Sequence, residues 1–270
     1  MTANTLQILT PSTLGPRDLL NELLNRHRVL TLYALLMLTA MIPTLVLAVV
    51  DERTLWEVGI WAKPLKFMAS TALFALTTAW FMGLLPQARR NAPVSRAVVW
   101  TLVGTSLFEV AYISLQAALG APSHYNMADR FHAAMFALMG LAAVLLTGTQ
   151  AVLAWQIYRH SAQRPLPVAA QAVLAGLVLT FVLSTVSGFM LGGQQPPAGS
   201  GLPIAGWHLG GGDLRPAHFL GVHAQQLIPL AGLLLQRHLS VFAAPGLWLV
   251  TGAYVAGWVL LARFGMPVAL

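Results

Sequence analysis

Residues able to move protons, ligate a metal or hold an anion are few in this chain, and they cluster. The densest run is Trp207-His208-Leu209-Gly210-Gly211-Gly212-Asp213-Leu214-Arg215-Pro216-Ala217-His218-Phe219-Leu220-Gly221-Val222-His223-Ala224-Gln225-Gln226. It carries three histidines, an aspartate and an arginine directly into an apolar segment. Imidazole titrates near neutrality and is a common metal ligand, so metal binding, proton transfer and anion recognition all fit these residue types. Helical spacing divides them. His223 lies about 10 Å into the segment at 1.5 Å per residue, with Gln226 on its face, whereas His218 is rotated by about 140° and shares a stripe with Gln225. Helices that bind one metal with two histidines use i,i+4. The run is therefore half of a site, and other segments must complete it.

Those segments have to be membrane helices. Of 270 residues, 57% are hydrophobic and 9% charged, with mean hydropathy +0.71. A soluble domain carries roughly 25% charged residues, so a water-exposed globule is excluded. The net charge of +7 fits Arg-rich cytoplasmic loops, and no nucleic-acid partner is expected. Absence of cysteine removes disulfides, thiolate ligands and Cys nucleophiles.

Apolar runs predict an all-α, polytopic bundle of seven transmembrane helices near 29–50, 65–86, 97–120, 131–157, 167–191, 216–236 and 244–264. They form one domain, 29–270. Residues 1–28 form a cytoplasmic segment, with late positive charge and no cleavage site, in which Pro16 to His27 reads as a short amphipathic helix. One set of span ends holds Arg17, Arg26, Arg28, Arg89, Arg90, Arg96, Arg159, Arg164 and Arg237 with almost no acid. The other mixes Arg53, Lys63, Lys66, Arg130, Arg215 and Arg263 with Asp51, Glu52, Glu57, Asp129 and Asp213. The positive-inside rule then predicts a cytoplasmic N-terminus and an outer C-terminus, in a cytoplasmic (inner) membrane. The outer loop 192–216 is rich in Gly and Pro, Pro203 included, and is expected to lack regular structure, as a lid, binding loop or linker.

Of the eight histidines, His124, His132, His208, His218 and His223 map to the outer side. Glu109 falls near the middle of span three with Thr105, Tyr112 and Gln116 on its face. A carboxyl there must be protonated, paired or cation-bound. Span two opens Trp61-Ala62-Lys63-Pro64-Leu65-Lys66-Phe67. Trp56 and Trp61 are expected as interface anchors, Lys63 as snorkelling outward, and Lys66, deeper, as a partner for Glu109. Asn126 or Asp129 is expected to cap span four, with His132 in its first turn. The chain has no phosphate-gripping Gly-rich loop, no Gly-x-Ser-x-Gly elbow and no histidine spacing of seven-span zinc hydrolases.

The blocks Trp61-x-Lys63-Pro64-x-Lys66-Phe67, Ser123-His124-Tyr125-Asn126 and Gly211-Gly212-Asp213-Leu214-Arg215-x-x-His218-Phe219-x-Gly221-x-His223-Ala224-x-Gln226 resemble a family of bacterial multi-span membrane proteins of about seven helices. The resemblance runs from span one to span six. It implies the membrane architecture and brings no activity with it.

Three functions follow as expectations. The first is haem b or another His-ligated transition metal in membrane redox chemistry, possible in a bundle with axial histidines on two helices. His132, His218 and His223 are its candidate ligands. Lys63, Lys66, Arg130, Arg215 and Gln226 would bind the cofactor, and a quinone is a candidate partner. The second is a transporter or receptor for a small outer-side ligand, with Glu109 as the proton or cation site. The third is a membrane-embedded hydrolase or transferase with Glu109 and Asp213 as catalytic groups. The bilayer is the one partner that composition alone requires, and oligomeric state is left open.

Overall fold

The computed structural model describes residues 15–163, 165–199, 201–202 and 205–266, so Arg164, Pro203 and the first fourteen residues lie outside the described residues. Among the described residues, seven helices are long and apolar enough to cross a membrane: α1 (Pro16–Val50), α2 (Ala62–Met82), α3 (Pro93–Ala118), α4 (Arg130–His160), α5 (Val168–Gly192), α6 (Arg215–His238) and α7 (Ala243–Gly265). Their bounds fall within four residues of the predicted spans, except at the start of α1. There the backbone leaves helical geometry at His27 (φ −160°, ψ 97°). The break separates a short N-terminal stretch from the rest of α1.

That short stretch is pinned to the end of α2. Arg26 pairs with Glu22 at 2.7 Å, donates to the Trp80 carbonyl at 2.9 Å and lies 3.8 Å over the Trp80 ring. This end of the bundle, where α1 starts, is called the lower end below. The upper end is where α2, α4 and α6 begin.

An addition to the all-α expectation sits between α1 and α2. Strands β1 (Thr54–Leu55) and β2 (Val58–Gly59) form a small antiparallel hairpin. Trp56 and Glu57 turn it with positive φ, 52° and 65°, the hand that suits a two-residue hairpin. Trp56 is exposed, but Trp61 departs from the expected interface anchor. It is buried and donates from Nε1 to Asp51 at 2.8 Å. Asp51 also carries Arg53 at 2.7 Å. These hydrogen bonds, that of Arg53 first, hold the half-buried Asp51 carboxyl below the usual carboxylate range.

Helix ends that position the site have local causes. The α3 helix stops at Gly120 (φ 68°): the Gly120 amide bonds the Ala117 carbonyl and the Ala121 amide bonds the Gln116 carbonyl. This is the double bond of a Schellman end, where glycine takes the left-handed position without a Cβ penalty. The chain then turns sharply through 121–129. Of the two predicted caps, Asp129 caps α4, accepting from the His132 amide at 2.9 Å. Asn126 instead closes a local turn onto the Ala128 amide at 3.2 Å.

The α5–α6 pair is the tightest in the bundle. A Cβ at Gly221 would sit 2.7 Å from the Ser184 nitrogen, one at Gly176 would sit 2.9 Å from the Ala224 carbonyl oxygen, and one at Gly232 2.5 Å from Ala172 Cβ. Absence of side chains at these points lets the two backbones approach closely. The Thr180 hydroxyl accordingly accepts from the Gln225 amide at 2.9 Å across the interface. The main apolar core is built from α1, α2, α3, α4 and α5, including Leu30, Met82, Leu102, Leu153 and Val173.

Candidate functional site

The functional candidates gather at the upper end, around His124. The turn after the α3 stop drops this imidazole between Phe67 and Phe136, with ring centroids 6.1 and 6.0 Å away. Lys63 Nζ donates to His124 Nδ1 at 2.9 Å, and Ser123 Oγ lies 3.2 Å from the same nitrogen. Since an ammonium can only donate, His124 accepts at Nδ1 and carries its proton on Nε2. Burial, reinforced by Lys63 and then His218, drives the His124 pKa well below its ordinary value, so the ring is neutral.

His218 faces α5, as its helical stripe requires. The Ser187 hydroxyl donates to the Leu183 carbonyl at 2.7 Å, so at 3.1 Å it accepts from His218 Nδ1. His218 is therefore the Nδ1-protonated tautomer, with Nε2 bare. His223 turns to Gln226 of its own helix, which in turn reaches α2. Gln226 Nε2 donates to Thr77 at 3.2 Å, which turns its carbonyl oxygen to His223 Nδ1 at 3.3 Å. This also leaves His223 with a proton on Nδ1 and Nε2 bare. Phe219 packs against the His223 ring with centroids 4.2 Å apart.

Two expectations about the lysines are corrected. Lys63 does not snorkel to the surface, because the His124 turn supplies an acceptor inside the bundle. Lys66 is exposed and reaches back to the Ala205 carbonyl at 3.1 Å. Lys63, and not Lys66, is the cation within electrostatic reach of Glu109. Lys63, Lys66 and Arg215 lie within reach of one another.

The loop ahead of α6 is tied down by Asp213. Its carboxylate accepts two bonds from Arg215 Nε, at 2.8 and 3.1 Å, and one from Nη2 at 2.6 Å. It also takes the amides of His208 and Arg215, each at 2.9 Å. Burial pushes the carboxyl up, but the Arg215 and amide bonds outweigh it and hold its pKa below the usual value. Arg215 also donates to the Gly206 carbonyl at 2.6 Å, and Gln194 bonds the Gly212 and Gly265 carbonyls at 2.7 and 2.8 Å. The described part of the predicted irregular loop has no helix or strand, yet it is stapled. With both oxygens engaged this way, Asp213 is a structural tie and is poorly placed as a general base.

Arg130 is exposed at the first residue of α4. His132 bonds Asp129 at 2.7 Å and packs edge-on against Phe131, both in its own turn. His208 reaches the Gly199 carbonyl at 3.2 Å. Among the described residues, no three His, Asp or Glu side chains gather as metal ligands.

Glu109 is 6% exposed, and its Oε1 finds no hydrogen-bond partner among the described residues; the same is true of the Tyr112 hydroxyl and Gln116 Oε1 on its face. Just below, Tyr33 and Ser106 join their hydroxyls at 2.7 Å. Sequence reasoning missed Ser187, Thr180, Tyr125 and the Tyr33–Ser106 pair. Tyr125 stood in the Ser123–Asn126 block but gave no signal of its partners, the Leu191 and Gln194 carbonyls at 2.6 and 3.2 Å. Burial first, and Asp213 after it, push the Tyr125 phenol up to about 12 against the opposing pull of Arg215. Comparison with protein families, with curated proteins and with solved structures finds no match, so the reading of this site rests on the chain's own residues.

Proposed function

We propose that the chain is a multi-pass protein of the bacterial cytoplasmic membrane, N-terminus inside and C-terminus outside, that binds a small anion at the upper, outer end and couples it to a proton on Glu109. It acts as a transporter or receptor. The orientation is supported by the lower end, which gathers Arg26, Arg89, Arg90, Arg159 and Arg237. The observation that carries the ligand class is the charge balance of the upper pocket. Lys63, Lys66 and Arg215 share it, while Asp213 is already engaged by Arg215 and Lys63 has only a neutral imidazole as its bonded partner. An anion completes such a cluster, and Glu109 below adjusts its charge by taking or losing a proton.

The test uses the full chain in detergent with formate, acetate, phosphate and sulfate at constant ionic strength. At 100 times its Kd an anion that binds the folded state adds about 2.7 kcal/mol. Such an anion should raise Tm in the wild type and not in Lys63→Met. Absence of any anion-specific rise refutes the reading.

A redox role with haem b or a transition metal is the second reading. It is favoured by His218 and His223, each presenting a bare Nε2 while Nδ1–H is hydrogen-bonded, the arrangement that orients ligating histidines. A pyridine haemochrome spectrum and metal analysis of the purified protein decide it; colourless, metal-free protein refutes it. A hydrolase or transferase role would have to rest on Glu109, given the ties on Asp213.

A further inference from the structure

The polar atoms on the inner face of α3 are distributed asymmetrically about Glu109. Above it, the Tyr112 hydroxyl and Gln116 Oε1 are buried, 5% and 2% exposed by residue, with no protein partner among the described residues. The rises from Glu109 to Tyr112 and on to Gln116 are about 4.5 and 6 Å, spacings that one or two waters bridge. Buried polar groups are hydrogen-bonded, by water when protein is not at hand.

The upper end of this line runs toward Lys63 and His124, under buried apolar side chains. Ala117, beside Gln116, packs with Ile60 and Trp61, two residues ahead of Lys63. Phe67 touches the Tyr112 cluster and stacks on His124. Below Glu109 the picture changes. Ser106 and Tyr33 satisfy each other, and Ser106 also donates to the Leu102 carbonyl at 2.6 Å. Beneath them lies an apolar layer containing Leu30, Met82, Val99, Leu102, Leu153 and Val173. Gln150, three residues before Leu153 of this layer, turns its amide nitrogen to Thr149 at 2.9 Å, while its Oε1 has no partner among the described residues.

We propose that Glu109 exchanges its proton with the Lys63–His124 face alone, through a short file of internal water held by Tyr112 and Gln116, and that the apolar layer below seals it from the opposite face. The titratable groups that act on the carboxyl are Lys63 of α2 and Tyr33 of α1. The inference deepens the reading of Glu109 as the proton site and rests on it.

The chain has no cysteine, so single cysteines report access without background. Gln116→Cys, Tyr112→Cys and Leu102→Cys are placed in the full-length protein in right-side-out and inverted membrane vesicles. Silver ion travels where water does and replaces the thiol proton to give Ag–S and H⁺. Bound silver then protects the thiol from alkylation after denaturation.

Cys at 116 and 112 should be protected from the Lys63 face at least about ten-fold faster than Cys at 102 from either face, by the same logic of opening-limited access that governs amide exchange. Having both upper positions guards against one variant misfolding. Slow reaction at 116 and 112 from both faces overturns the file. Fast reaction at 102 from the opposite face overturns the seal and identifies Gln150 as the breach. Fast reaction at 116 and 112 from the cytoplasmic side, with 102 protected, supports the one-sided file and overturns the proposed topology instead.

Discussion

Gly221→Ala should be among the most damaging single-methyl changes in the chain, because the new Cβ would meet backbone and not a movable side chain. It would sit 2.7 Å from the Ser184 nitrogen and 2.9 Å from Leu183 C and Ser184 Cα. Reaching an unstrained separation of about 3.5 Å requires the helices to part by roughly 0.8 Å. That movement is transmitted to two hydrogen bonds that join α5 to α6, Gln225 N to Thr180 at 2.9 Å and His218 Nδ1 to Ser187 at 3.1 Å. Both would lengthen past useful range. Overpacking costs about 1–3 kcal/mol and each buried hydrogen bond about 1 kcal/mol, for a total near 3–5 kcal/mol.

Gly104→Ala is the matched control. Gly104 is helical, and a Cβ there meets nothing within 4 Å, so the gain in helix propensity should stabilise by up to about 1 kcal/mol. Thermal unfolding of both variants in the same detergent gives the comparison. Tm should fall for Gly221→Ala and hold or rise for Gly104→Ala. Equal shifts, or a Gly221→Ala protein within 0.5 kcal/mol of wild type on the scale of ordinary surface changes, would refute the close-approach argument and with it the positioning of His218.

Two further outcomes follow from the upper pocket. Burial keeps His124 neutral in the folded chain, so below about pH 6.5 the unfolded chain binds more protons, and stability from this group, intact above that pH, is lost as pH falls, by up to about 1.4 kcal/mol per unit; Tm of His124→Gln should fall less steeply between pH 7 and pH 5 than that of wild type, and parallel curves would count against a neutral His124. Asp213→Asn removes the charge on a carboxylate that is fully buried against a partly exposed Arg215, which should cost about 2 kcal/mol after allowing for solvent on the arginine side. The sharper readout is limited proteolysis, in which cleavage within 193–214 should accelerate while the helices stay resistant; an unchanged cleavage rate would show that the loop is held by its backbone bonds alone.

The helices were legible because lipid imposes a length and a composition, and both are written locally. The divergence of His218 and His223 was legible for the same reason, since 140° of rotation needs no tertiary information. Their partners agree with it, Ser187 of α5 for the first and Gln226 of the same helix for the second. Roles that depend on what lies opposite were not legible. Lys63 and Lys66 share a face of α2, and nothing local decides which turns inward. The choice was made by the His124 turn, about 60 residues away, and by the Ala205 carbonyl, farther still. Ser187 looked like an ordinary small residue in an apolar helix until the glycines of α5 and α6 set the register that brings it under His218. Asp213 read as a candidate catalytic base because its neighbours in sequence are polar. The fold uses those same neighbours, Arg215 and the His208 amide, to occupy its oxygens.

The acidic residues make the strongest argument about where the chemistry lies. There are eight. Asp18, Glu52 and Glu57 are exposed to solvent. Glu22, Asp51, Asp129 and Asp213 each pair with a basic side chain two to four residues away, Arg26, Arg53, His132 and Arg215. Such short-range pairs neutralise charge where it arises and need no further explanation. Glu109 alone is buried without a bonded cation, with one oxygen unpartnered and Lys63 acting only through space. A carboxyl held there is costly in either protonation state, as an unpaired charge or as an unsatisfied polar group. An apolar residue of similar size would pack the same position without that cost, so stability does not account for it. The proposed proton exchange would account for it, with the cationic cluster above giving that proton a reason to come and go.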